Sequence, residues 1–174
     1  MDEIVEVLNE KGEYTGENIS KIEAHKHGIC HGISAVGVID NDGRVLIQKR
    51  AETKRDEPNK WDLSSAGHID VSETPQKAII REMSEEIGLK VEANELILID
   101  TYLNKVRLNE ETYINHFTYL YIVRKDIDIG KIVMQKKEVS EIRFVNKQEY
   151  CELLNEGKMV EGMKYCNKIL DYIK

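Results

Sequence analysis

Cysteine is scarce in this sequence: Cys30, Cys151 and Cys166 are odd in number and show no CxxC pairing. That argues against a disulfide framework and suits buried free thiols in a reducing compartment. Long apolar runs are missing too. The opening residues, MDEIVEVLNEKGEY, are charged from the second position, so neither a signal peptide nor a membrane span is expected and the chain reads as a cytoplasmic protein. Positive charge is in deficit: 25 Lys and Arg stand against 32 Asp and Glu, a net charge of -7. This disfavours a protein that holds nucleic acid through its phosphates, and a small polyanionic partner would need local cations. His25, His27, His31, His68 and His116 are scattered without zinc-ligand spacing. All but His68 read as ordinary polar residues. Internal repeats, low-complexity tracts and linkers are also absent.

What is present is one domain's worth of chain. With 174 residues, 41% of them apolar, the whole of residues 1–174 can fold around a single core without a structural metal. Ile4 to Leu8, the Asn9–Gly12 turn and a second extended piece predict an N-terminal hairpin extension over residues 1–30. Ile33–Ile39 and Arg44–Gln48, joined through Asp42-Gly43, predict a second hairpin. A polar loop with Pro58 leads into the extended segment Trp61–Ile69. The lone Trp61 reads as core more readily than as a ring-stacking platform. Thr74 followed by Pro75, with Gly88 beyond, predicts a helix over 75–87. Leu96–Val106 and Thr112–Val123 predict paired strands at the heart of a mixed sheet, and Glu141–Val145 a last strand. Tyr150, Leu153, Leu154, Met163, Cys166, Ile169, Leu170 and Ile173 then recur at helical spacing, predicting C-terminal helices over 147–174, broken at Gly157. The fold class is α+β, a sheet sandwiched between helices.

The informative stretch is GHIDVSETPQKAIIREMSEEIGL, residues 67–89. On the helix, Glu82, Glu85 and Glu86 stand at i, i+3 and i+4 and share one face, while Ile79, Met83 and Ile87 form a separate apolar stripe. On composition alone such a charged face is usually just solvated. Two unit charges about 4 Å apart repel by roughly 4 kcal/mol at an effective dielectric near 20, so converging carboxylates call for a cation. All-oxygen ligation suits Mg²⁺ or Mn²⁺, ions that commonly bridge carboxylates to substrate phosphates.

The spacing of Gly67, Glu73, Arg81, Glu82, Met83, Glu85, Glu86, Gly88 and Leu89 resembles the Nudix signature at every specified position. That resemblance implies a Nudix-type α/β/α sandwich with a catalytic loop-helix-loop, and hydrolysis of a diphosphate linkage in a nucleoside diphosphate-X or related organic diphosphate. It implies Glu82, Glu85 and Glu86 as metal ligands, the Gly67 carbonyl as a further one, and Glu85 or Glu86 as general base. Arg81 and Glu73 become a pair that orients the helix carboxylates. Relatives often use a Glu outside the box, for which Glu138 is preferred over Glu110, Glu111 and Glu141. Lys49 and Arg50 end an alternating strand, either as an exposed strand end or as cations that point into the cleft to meet the diphosphate; His68 is expected to contact substrate.

The segment HGISAVGVIDNDGRVLIQKRAETKRDEPNKWDLSSAGHID also looks like the Nudix branch related to isopentenyl diphosphate isomerase. The isomerase has a cysteine directly before its Gly-His, where this chain has Ala66. Alanine moves no proton, which favours hydrolysis over isomerisation. A noncatalytic binding module is the third alternative, disfavoured because no box carboxylate is lost. Family members commonly pair, so a homodimer using the N-terminal hairpin is a further expectation.

Overall fold

The computed structural model describes residues 3–161 and 165–174. Strands β1 (Ile4–Leu8) and β2 (Tyr14–Ser20) pair antiparallel as a separate two-stranded sheet. Between them Gly12 adopts a φ of +80°, and the Asn9 side chain accepts from the backbone N–H groups of Lys11 and Glu13. The expected hairpin is there, but residues 1–30 hold more than a hairpin. Helix α1 (Lys21–His27) follows directly, with the Ser20 hydroxyl accepting from Glu23 N–H at 3.2 Å and Gly28 closing it at φ +64°.

The main sheet is mixed. Its strands are β3 (His31–Ile39), β4 (Val45–Arg50), β5 (Trp61–Asp62), β6 (Ser65–His68), β7 (Ile97–Arg107), β8 (Tyr113–Arg124) and β9 (Val139–Val145). The order is β5-β4-β3-β8-β7, with β6 added to β3 and β9 to β4. β3 and β8 run parallel through nine registered pairs, from His31 opposite His116 to Ile39 opposite Arg124, and the remaining pairings are antiparallel. Two expectations need correction. The β3–β4 hairpin is registered only at Ile39 and Val45, because β3 turns to β6 while β4 turns to β9 and β5. The gap is bridged by the buried Ser64, whose hydroxyl accepts from Val38 N–H at 2.8 Å and donates to the Leu46 carbonyl at 2.6 Å. Of the two long strands, β8 lies inside the sheet but β7 forms its edge, with Ile97 and Leu98 about half exposed.

Both faces of this sheet are covered. In β3, Ile33, Ala35 and Ile39 face one layer, and Val36 and Val38 face the other. The first layer contains Tyr150 and Leu153 of helix α3 (Lys147–Asn155) with Ile169 and Ile173 beyond it. The second contains Ile79, Met83 and Ile87 of helix α2 (Pro75–Ile87). Continuous burial on both faces explains why all nine residues of β3 are buried. Near the C-terminus, α3 ends before Gly157, at φ +63°, and α4 (Tyr165–Lys168) follows. Met163 of the predicted helical pattern lies outside the described residues.

Candidate active site

Helix α2 starts and stops where its sequence dictates. The Thr74 side chain accepts from Lys77 N–H, Pro75 occupies the first turn and Gly88 takes φ +63°. With the apolar stripe against the sheet, Arg81, Glu82, Glu85 and Glu86 all line one cleft of about 680 Å³. Strand β6 passes so close that a Cβ on Gly67 would lie 2.1 Å from the Glu82 carboxyl carbon. Glycine at 67 therefore brings bare backbone against a carboxylate.

Arg81 ties this region together. Its Nε and Nη2 donate to the two oxygens of Glu73 at 3.1 and 2.8 Å, Nη2 also to the His68 carbonyl at 3.0 Å, and Nη1 to Glu82 at 2.7 Å. These contacts hold Arg81 protonated, with Glu73 the largest influence. Burial pushes the Glu73 carboxyl up, but the hydrogen bonds from Arg81 and Asp70 N–H outweigh it and leave Glu73 below the ordinary range. The helix carboxylates behave oppositely. Burial, followed by the charge of Glu86, raises Glu82 to about 7. Glu86, 7% exposed, is likewise raised by burial although Ser65 Oγ at 2.6 Å and Gln48 Nε2 at 3.0 Å donate to it. One buried and one partly buried carboxyl resisting ionisation beside a third, the exposed Glu85, form a donor set that a hard divalent cation fits.

The cleft is also lined by Arg50, Lys54, Arg55, Lys137 and Glu138. Arg50 donates to the Asp56 carbonyl and lies 3.8 Å from Asp62; Lys54 is paired with Glu138. Lys49 is not brought into the cleft. Alternation along β4 sends Gln48 to Glu86 and Lys49 to the far face, where its ammonium lies 5.9 Å from the centre of the buried Trp61 ring. A register shift between Lys49 and Arg50 separates the two basic residues further.

The NUDIX domain family model matches residues 30–165. The chain belongs to the Nudix family. An uncharacterized Nudix hydrolase of Listeria monocytogenes is 33% identical over 155 residues, covering 89% of this chain and 86% of that protein. The isopentenyl-diphosphate Delta-isomerase 2 of Photorhabdus laumondii is 27% identical over 174 residues, covering 95% of this chain and 94% of its own length. Among solved structures, a Deinococcus radiodurans protein superposes with a TM-score of 0.73 at 16% identity, covering 99% of this chain and all of that one. The Nudix assignment makes the protein a pyrophosphohydrolase of small molecules, within a family that generally works with divalent metals.

Residues that the sequence pattern did not single out also support and line the Nudix cleft. Gln48 and Ser65 orient Glu86, and α1 contributes Lys21, Ile22 and His25 to the rim. His25 meets His31, His68 and His116, with ring centres 4.6–5.6 Å apart for every pair of the four. Burial drives His68 and His116 well below the usual imidazole range, and His31 to about 4. The reading of His25, His31 and His116 as ordinary scattered residues is thereby corrected. They come from three different elements, so no local spacing could announce the cluster.

Proposed function

We propose that the protein is a Mg²⁺- or Mn²⁺-dependent hydrolase of a nucleoside diphosphate-X or related organic diphosphate. The observation that carries this reading is the convergence of Glu82, Glu85 and Glu86 on one cleft, Glu86 buried and Glu82 partly so, both reluctant to ionise without a cation. Glu82, Glu85 and Glu86 would hold the ion, with the Gly67 carbonyl as a further ligand. Bound there, the cation supplies charge neutralisation for the diphosphate and acidifies the attacking water.

The chain's own groups do the rest. Glu73 fixes Arg81, and Arg81 fixes Glu82, so this pair sets the geometry rather than the chemistry. Ser65 and Gln48 do the same for Glu86. Glu85, the most exposed of the three, accepts the water's proton as general base, and Glu138, which lines the same cleft, is the candidate outside the helix. Arg50 and Lys54 offer positive charge to the phosphates, and His68 contacts the substrate beside them.

Isomerisation is the second reading, favoured by likeness to the Photorhabdus isomerase along most of both chains. Against it, Ala66 lines the cleft where that chemistry has a cysteine, and neither Cys30 nor Cys151 lines it. The test is phosphate or pyrophosphate release across nucleotide, nucleotide-sugar, coenzyme and isoprenoid diphosphates, with Mg²⁺ and with EDTA. Metal-dependent release abolished by Glu85→Gln supports hydrolysis at this site. Conversion of isopentenyl diphosphate without release of phosphate would overturn it.

A further inference from the structure

We propose that Glu6, on strand β1 of the N-terminal hairpin, is a positioning residue for the cleft, an inference that rests on the hydrolase reading for the part Glu82 plays. Glu6 Oε1 accepts from the backbone N–H of Ser72 at 3.0 Å, although the two stand 66 positions apart. The same strand meets this loop a second time, where the fully buried Val5 forms an isolated antiparallel bridge with Asp70. The hairpin therefore clasps the loop just before Glu73. Neither Glu6 nor Ser72 lines the cleft, so any influence on the chemistry passes through other residues.

Ser72 is the point at which the loop needs holding. Its φ of +65° lies in the left-handed region, where a side chain crowds the following carbonyl and few residues other than glycine rest easily. Such a conformation persists where neighbouring groups fix it. Glu6 is that group, and it stands on a firm base: Leu8 N–H in the same strand donates to the Cys30 carbonyl at 2.8 Å, and Lys21 N–H donates to the Glu3 carbonyl at 2.8 Å. Without the Glu6 carboxylate, Ser72 would relax toward an ordinary φ and carry Glu73 with it.

Glu73 is held from both ends of its side chain. Its N–H donates to the Asp70 carbonyl at 3.0 Å, and its Oε2 accepts from Asp70 N–H at 3.2 Å and from Arg81 Nη2 at 2.8 Å. Oε1 accepts from Arg81 Nε at 3.1 Å, and Arg81 Nη1 donates to Glu82 at 2.7 Å. A continuous path thus runs from Glu6 through the Ser72 peptide, Glu73 and Arg81 to a carboxylate that the hydrolase reading assigns to the metal. An ordinary surface glutamate is indifferent to substitution, whereas one that fixes a strained peptide on this path is not.

The experiment compares Glu6→Ala, Glu6→Gln and Glu6→Ala/Ser72→Gly in the full chain. The first readout is solvent exchange of the Arg81 Nε proton, followed by NMR in EDTA-treated protein, because that proton is bonded to Glu73. Exchange should be about threefold faster or more in Glu6→Ala. It should stay near the parent rate in Glu6→Gln, which keeps an oxygen acceptor, and return toward it in the double variant, because glycine takes a positive φ without a side-chain penalty. On a diphosphate that the parent hydrolyses, Glu6→Ala should lower kcat about three- to tenfold and raise the Mg²⁺ needed for half-maximal rate, with substrate KM unchanged. A merely stabilising role would lower Tm and leave Arg81 exchange, kcat and the Mg²⁺ requirement at parent values. Parent-like Arg81 exchange in Glu6→Ala, or failure of Ser72→Gly to restore it, would overturn the proposal. If the parent hydrolyses no diphosphate, the hydrolase reading fails, and Arg81 exchange still decides whether Glu6 holds the loop.

Discussion

The α-carbon of Gly67 faces the Glu82 carboxyl so closely that a methyl group there would overlap it, at 2.1 Å from the carboxyl carbon and 2.2 Å from Oε1. Glu82 cannot simply swing aside, because Arg81 donates to the same Oε1. Gly67→Ala should therefore displace the carboxylate and lower kcat about ten- to a hundredfold, in the range found when groups supporting a metal site are disturbed. Circular dichroism should remain native. Wild-type kcat would remove Gly67 and Glu82 from the machinery.

Glu82 also predicts a pH effect in metal-free protein. Its folded-state pKa, about 7 against an ordinary 4.5, is raised by burial and by Glu86. Stability from the protonated form is complete below about 4.5 and disappears as pH rises through about 7. Glu82→Gln, which imitates that form, should match the parent at low pH and exceed it above neutrality, by an amount on the order of 3 kcal/mol. The check is Tm of both proteins in EDTA across this range; Mg²⁺ should then stabilise the parent more than the variant. An unchanged difference between low and high pH would refute the assignment.

Arg50 and Lys49, adjacent in sequence, should part company in kinetics. Arg50→Ala removes a cleft cation and should raise KM about tenfold or more. Lys49→Ala, on the far face over Trp61, should leave KM near the parent value. Steady-state kinetics on the identified substrate would decide, and equal effects would contradict the strand's facing.

Ser64→Ala tests the opening between β3 and β4. It strips the Val38 N–H of its acceptor and the Leu46 carbonyl of its donor, both in buried surroundings. A loss of about 1–3 kcal/mol is expected in urea denaturation. Activity per folded molecule should survive, since Ser64 does not line the cleft.

Legibility in the sequence followed the range of the interaction. Helix α2 was readable to the residue because Thr74, Pro75 and Gly88 set its ends locally. Its carboxylate face was readable because spacing along one helix is geometry. Helix α1 carried comparable signals in Ser20, Glu23 and Gly28, but the hairpin reading over residues 1–30 absorbed them. The edge position of β7 and the early parting of β3 from β4 depend on which distant strand wins each pairing, and neither strand's composition encodes that choice. Gln48 and Ser65 gained a role only when the sheet brought them beneath Glu86.

Strand β4 has a consequence for how the chain can change length. Leu46 and Gln48 project toward α2, Ile47 and Lys49 toward the opposite layer, and the assignment depends only on odd or even position. Inserting or deleting one residue between Val45 and Gln48 would send the glutamine to the wrong layer and put an aliphatic or ammonium group against Glu86, even if every side chain were kept. A pair of residues could be added with far less harm. What this stretch must preserve through descent or redesign is thus parity as much as identity.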